Sequence, residues 1–208
     1  MHHDAQPVKL YHIPVELPIR RIYSRLGYRK ATTQVSEHEQ QTIQHILDEG
    51  MLYCQLSGVY LRRRIERKEE GTIVLDTGTT WNSQQMARFL STSTEVFLIA
   101  ATAGAEIVEQ RDRLLQQGKT FKAVILDALG SEMVESAIQW IHDYVGKLVR
   151  KNGRILTKRR YSPGYGDFSL ENQQSLFSLL KLAELDLRLT DHFILLPEKS
   201  VTAIVGVE

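Results

Sequence analysis

Apolar and polar positions along the chain fall into blocks with different periods. Val8-Lys9-Leu10-Tyr11-His12-Ile13 alternates as a strand does, and Pro14 demotes it to a sheet edge. Leu17 to Leu26 reads as a short helix, with Pro18 suited to its first turn and Gly27 to the position past its end. Ser36-x-x-Glu39 forms a capping box before a helix whose apolar face is Ile43, Ile46 and Leu47, with Gly50 as its stop. Met51 to Glu66 is the strand expected next: Leu52, Cys54 and Leu56, then Val59, Leu61 and Ile65. Within it Gly58 predicts a bulge or bend, and Arg62-Arg63-Arg64 are expected to face solvent at an edge. Glu69-Glu70-Gly71 turns the chain into Thr72-Ile73-Val74-Leu75, and so short a link permits only antiparallel pairing. Ser83 to Leu90 reads as a short helix.

The second half is more regular. Glu95 to Ala101 predicts a buried strand, and Gly104 to Gly118 a helix with Ile107, Val108, Leu114 and Leu115 inward. Phe121 to about Lys151 carries the longest helical pattern. Its apolar stripe follows Phe121, Val124, Ile125, Ala128 and Leu129. Beyond Gly130 the stripe moves to Val134, Ala137, Ile138, Ile141, Val145 and Leu148, nearly opposite. Such a swap means a break at Gly130 or a helix covered on both sides. In a continuous helix Glu135 points inward, and an inward carboxylate needs a partner. Ser169 to Leu182 reads as a further helix, and Phe193–Leu196 with Val201–Val207 as a closing hairpin or strand pair. Strands before and after the helices, joined by antiparallel links, predict an α+β fold: a mainly antiparallel twisted sheet flanked by helices, in one domain over residues 1–208.

Composition narrows the function classes. With 42% apolar and 25% charged residues and a net charge of +1, the chain has no global field for nucleic acid or an anionic membrane. Its apolar runs are too short to span a bilayer, and no signal layout precedes them, so a cytoplasmic location is expected. One cysteine, Cys54, excludes an internal disulfide and any CxxC site. His2 and His3 are too few for a tag, and the remaining histidines lack metal-ligand spacing.

Several motifs tempt and do not carry a function. Asp76-Thr77-Gly78 resembles an aspartic-protease loop or the first phosphate loop of sugar-kinase-type ATPases. The protease needs two such aspartates, the ATPase a second glycine-rich loop, and an ordinary turn explains the triplet. Ala101-Thr102-Ala103-Gly104-Ala105-Glu106 opens a helix after a strand, but one glycine does not make a dinucleotide fingerprint.

Lys158-Arg159-Arg160-Tyr161-Ser162-Pro163-Gly164-Tyr165-Gly166-Asp167 concentrates cations, tyrosines, proline and glycines. Pro163 and Gly164 suit the central positions of a type II turn, which leaves backbone groups free beside Arg160 and Tyr165. Arg160-Tyr161-Ser162-Pro163-Gly164-Tyr165 resembles the S-adenosylmethionine-binding signature of the activation domain of cobalamin-dependent methionine synthase. Other blocks resemble that family in the same order. They are Val96 to Gly104, then Asp127-Ala128-Leu129 with Met133 to His142, then Leu189 to Phe193, Leu196-Pro197 and Ser200-Val201-Thr202. The similarity covers about residues 95–206, and residues 1–90 match only loosely.

The resemblance implies a free-standing S-adenosylmethionine-binding protein that supports reductive methylation of cobalamin held by a separate corrinoid methyltransferase subunit. An electron-donor flavoprotein is a further implied partner. Arg160 would grip the ligand carboxylate, Glu135 its cationic or hydroxyl side, and the backbone of Tyr161, Ser162, Pro163 and Gly164 the adenine edge. Tyr165 would add a phenol and a ring. The power expected of such a site is positioning, with no general acid or base. The family adds a tyrosine pair beyond the point where this sequence stops, at Glu208. An acidic residue that meets the ligand's amino group in the family has no clear counterpart here. A pocket without that wall is expected to bind more weakly or to be completed by a partner. The alternative is a docking or scaffold protein for a corrinoid methyltransferase that no longer binds the ligand.

Overall fold

The computed structural model describes residues 6–28 and 36–208, so His2 and His3 lie outside the described residues. In chain order the first elements are β1 (Val8–Tyr11), α1 (Ile19–Arg25), α2 (Glu37–Met51), β2 (Ser57–Glu69), β3 (Thr72–Leu75), β4 (Thr80–Asn82) and α3 (Gln84–Phe89). There follow β5 (Glu95–Thr102), α4 (Glu106–Gln116), α5 (Thr120–Arg150), α6 (Gln173–Leu179), β6 (Arg188–Leu189), β7 (Leu195–Leu196) and β8 (Ser200–Val207). The main sheet has the order β4-β3-β2-β5-β8, with β1 on β2, and every pairing in it is antiparallel. The α+β expectation holds.

β5 explains the layering. All of its residues are buried, because each face of the sheet is covered. Phe97, Ile99 and Ala101 pack with α5, α2 and α1, whereas Val96, Leu98 and Ala100 pack with Trp81, Met86, Phe168 and Leu176. A strand buried on both faces loses its alternation, which is why Val96–Ala101 reads as one apolar run.

α5 is continuous through Gly130, so the swapped stripe reflects a helix covered on two sides, by the sheet and by α1, α2 and α4. Phe121 and Val124 are exposed nonetheless, as is Leu115 of α4, and these three depart from the expected core. The inward carboxylate of α5 is Glu132, 7% exposed. Arg25 Nε meets it at 2.7 Å and Arg21 Nε at 3.4 Å. Glu135, expected inward, is half-exposed instead.

Two glycines serve packing rather than the helix stop (Gly50) and the bulge or bend (Gly58) expected of them. A Cβ on Gly58 would lie 2.5 Å from the Ala100 carbonyl and from Ile141 of α5, and the β2–β5 register passes it without a shift. Gly50 lies inside α2, where a Cβ would lie 2.5 Å from Leu129. Both positions let the long helix approach closely.

Other boundaries also move. β2 starts at Ser57, after the end of α2 and a loop, and is an interior strand. Arg62 and Arg63 are therefore half-buried, and Arg62 pairs with Glu95 at 2.7 Å and lies 5.7 Å from the Phe97 ring centre. The helix expected over Ser169–Leu182 breaks into a 3₁₀ turn, α6 and a second 3₁₀ turn, with Lys181 at φ 52°. The closing hairpin does not form: β7 pairs with β6, and β8 with β5. Asp76-Thr77-Gly78 is the β3–β4 turn, with Gly78 at φ 80°. Among the described residues no helix is long and apolar enough to cross a membrane.

Candidate functional site

After α5 the chain runs back along the free edge of β8. Tyr161 and Ile204 exchange two backbone hydrogen bonds, at 3.0 and 2.7 Å, and Ser162 Oγ donates to the Thr202 carbonyl at 2.7 Å. The chain then turns sharply. Tyr165 N–H donates to the Ser162 carbonyl at 3.3 Å, and Gly164 has φ 88°. That is the type II turn that Pro163-Gly164 predicts.

Between this edge and α5 lies a groove of about 600 Å³. Glu135 and Gln139 of α5 form one wall, Lys158, Arg159, Arg160, Ser162, Pro163 and Tyr165 the other. The start of β8, the tip of the β6–β7 hairpin, Leu170 and Gln173 close the remainder. Tyr165, Leu170 and Ile194 leave exposed apolar surface on its rim.

Arg160 faces this groove rather than bulk water. Its Nη1 donates to Gln139 Oε1 at 2.6 Å, and its Nη2 meets Glu135 Oε2 at 3.4 Å. Arg160, Glu135, Tyr165, Ser162 and Pro163 thus come together. Tyr161 and Gly164 do not line the groove. The Tyr161 ring packs against Phe89 and Phe168, and its backbone is committed to Ile204. Gly164 shapes the turn, and its N–H donates to Phe168.

Pattern reading missed several groove residues. Gln139 is the i+4 neighbour of Glu135 on α5, a polar pair that could have marked the helix face. Gln173 is 5% exposed. Its Oε1 accepts from Thr202 Oγ1 at 2.9 Å, while its buried Nε2 has no partner among the described residues. Glu198 lines the groove too, held by Arg111 of α4 and Lys199. Lys199 and Arg111 also reach Asp127 of α5, at 2.6 and 2.9 Å. Burial alone would raise the Asp127 carboxyl, but the two cations outweigh it and hold it below its usual value. Arg111 first, against a smaller opposing effect of burial, depresses Glu198 in the same way.

One turn along α5 from Gln139, His142 is half-buried, with Nδ1 lacking a partner among the described residues. Burial first, and the Arg160 guanidinium second, push its pKa down and favour the neutral ring. Among the described residues no three His, Cys, Asp or Glu side chains gather as a metal site. The groove thus offers a fixed guanidinium beside a carboxylate, a backbone turn and an apolar rim. Those groups suit a zwitterionic ligand with an attached ring system.

Comparison with known proteins bears on the fold and the family. No curated protein sequence matches the chain. Among solved structures, the reactivation domain of MetH, determined with AdoHcy bound, superposes with a TM-score of 0.66 at 15% identity. The match covers 98% of this chain and 79% of that one. At that identity the likeness establishes the fold. The family model described as "Vitamin B12 dependent methionine synthase, activation domain" matches residues 90–208, more than half of the chain. By that match, the chain belongs to the family of vitamin B12-dependent methionine synthase activation domains.

Proposed function

We propose that the groove binds S-adenosylmethionine and presents it to a cobalamin held by a separate corrinoid methyltransferase subunit, so that an inactivated cobalamin is reductively methylated. The observation that carries this reading is the placement of Arg160 in the groove wall, fixed by Gln139 and Glu135 beside the Pro163-Gly164 turn. When bound, S-adenosylmethionine supplies the methyl group. The chain's own residues hold and aim it. Arg160 takes the α-carboxylate as a planar, charge-assisted pair. Glu135, half-exposed and only loosely held, is free to face the ammonium or sulfonium side. Ser162 and Pro163 form the wall along which the nucleoside lies, and the exposed Tyr165 ring flanks it. The groove is open, as a site approached by a large cofactor on another protein must be. An electron-donor flavoprotein and a cytoplasmic setting complete the reading.

Calorimetric titration with S-adenosylmethionine and S-adenosylhomocysteine tests it. Saturable heat from both ligands is expected, lost in Arg160→Ala with an unchanged circular dichroism spectrum. No heat from either ligand removes the assignment.

A second reading has one observation in its favour. Arg160 already has two partners within the chain, and the rim exposes Tyr165, Leu170 and Ile194. These would serve a docking protein for a corrinoid methyltransferase without a ligand of its own. A flat titration together with capture of a corrinoid protein decides for it.

A further inference from the structure

We propose that Gln139 and Asp143 are positioning residues that aim the Arg160 guanidinium and thereby select ligands with a free α-carboxylate. This rests on the ligand reading above and adds the groups that orient its main contact. Glu135, Gln139 and Asp143 recur every fourth residue of α5 and so share one stripe of the helix. Arg160 lies across that stripe: Nη1 donates to Gln139 Oε1 at 2.6 Å and Nη2 to Glu135 Oε2 at 3.4 Å. Gln139 Nε2 in turn donates to Asp143 Oδ1 at 3.0 Å.

The chemistry gives this chain of bonds a direction. An ionised carboxylate only accepts, so Asp143 holds the –NH₂ end of the Gln139 amide and leaves the carbonyl end for Arg160. A flipped amide would set donors against the guanidinium's own donors and lose both bonds. Asp143 therefore acts on Arg160 through Gln139, although it does not line the groove. Gln139 is also neutral. It fixes the guanidinium plane without neutralising its charge, and the remaining N–H donors stay available for a bidentate carboxylate. Glu135 does carry charge, but its contact is longer and half-exposed, which makes it the partner an incoming carboxylate displaces.

The test is calorimetry with two probes, S-adenosylhomocysteine and the analogue lacking its α-carboxylate. Wild-type protein is expected to prefer the carboxylate form. Gln139→Leu should shrink that preference about tenfold, by weakening the carboxylate form alone. Asp143→Asn should act in the same direction by about threefold. Gln139→Glu should weaken the carboxylate form too, because it satisfies Arg160 from within the chain. Thermal midpoints of all three variants should stay near the wild-type value. If Gln139→Leu weakens both probes equally, or neither, the proposal is overturned while the ligand reading stands. Wild-type protein that binds neither probe overturns both.

Discussion

Glu132 and Glu135 lie less than one turn apart on α5 and have opposite environments. About 60° of rotation around the helix separates them. Glu132 turns under α1, where Arg21 and Arg25 reach it and where it is 7% exposed. Ser136 adds to that knot, donating to the Glu132 carbonyl at 2.7 Å and accepting from Arg21. Glu135 turns over the groove, with one contact to Arg160 at 3.4 Å and a side chain 44% exposed. The same chemical group is saturated in one place and loosely paired in the other. Saturated, the carboxylate fastens α1 to α5. Loosely paired, it is the carboxylate that the proposed reading lets exchange its partner for part of a ligand, and the difference separates scaffold from candidate site.

Removing the Arg160 cation breaks the comparison most directly. Arg160→Ala should weaken S-adenosylhomocysteine binding by about 100-fold, near 3 kcal/mol, because a charged bidentate contact is lost. Urea unfolding should change by about 1 kcal/mol or less, because the partners it leaves, Gln139 and Glu135, keep access to solvent. Equal losses of binding and stability would place Arg160 in the scaffold with Glu132. The converse substitution, Glu132→Gln, should lower stability by about 2 kcal/mol. That is less than for a fully enclosed pair, because the Arg21 and Arg25 side chains are 51% and 46% exposed. Ligand affinity should hardly move. Glu135→Gln should do the reverse on a smaller scale, with affinity falling about fivefold and the urea midpoint unchanged.

The misplacement of Glu135 shows where pattern reading stops. The stripe swap at Gly130 correctly required either a break or a helix covered on both sides. It could not say which of two neighbouring glutamates would meet α1, because that depends on how α1 docks. Gly50 and Gly58 were legible as special positions, yet their reason is an approaching helix, which neither local sequence contains. The β8 strand was visible as an apolar run. Its partner was not, since β5 is about 100 residues away and register is set by the covered faces. In the candidate site, the turn was legible because proline and glycine dictate local geometry, and Arg160 and Tyr165 only through the family signature their stretch resembles. Gln139 and Gln173 were not, because an amide gains a role only from what the fold places opposite it.

The smallest expected effect concerns the ion network of Asp127, Lys199, Arg111 and Glu198, which touches the groove through Glu198 but is knit like the Glu132 knot. Both carboxyls are held below their usual values in the folded chain. The unfolded chain therefore binds more protons in mild acid, so stability rises with pH there. The contribution is complete above the unfolded carboxyl values, near 4, and is lost as the pH falls below them through the lowered folded values. Asp127→Asn should lower stability at pH 7 by about 1 kcal/mol and flatten the decline between about pH 5 and 3, as read from urea midpoints across that range. An unaltered slope would mean that these cations do not stabilise the charged form. Ligand affinity at pH 7 should stay within about twofold, as for a scaffold residue distant from the ligand. A larger loss of affinity would show that Glu198 transmits the network's geometry into the groove. The line between scaffold and site would then run through that cluster rather than between Glu132 and Glu135.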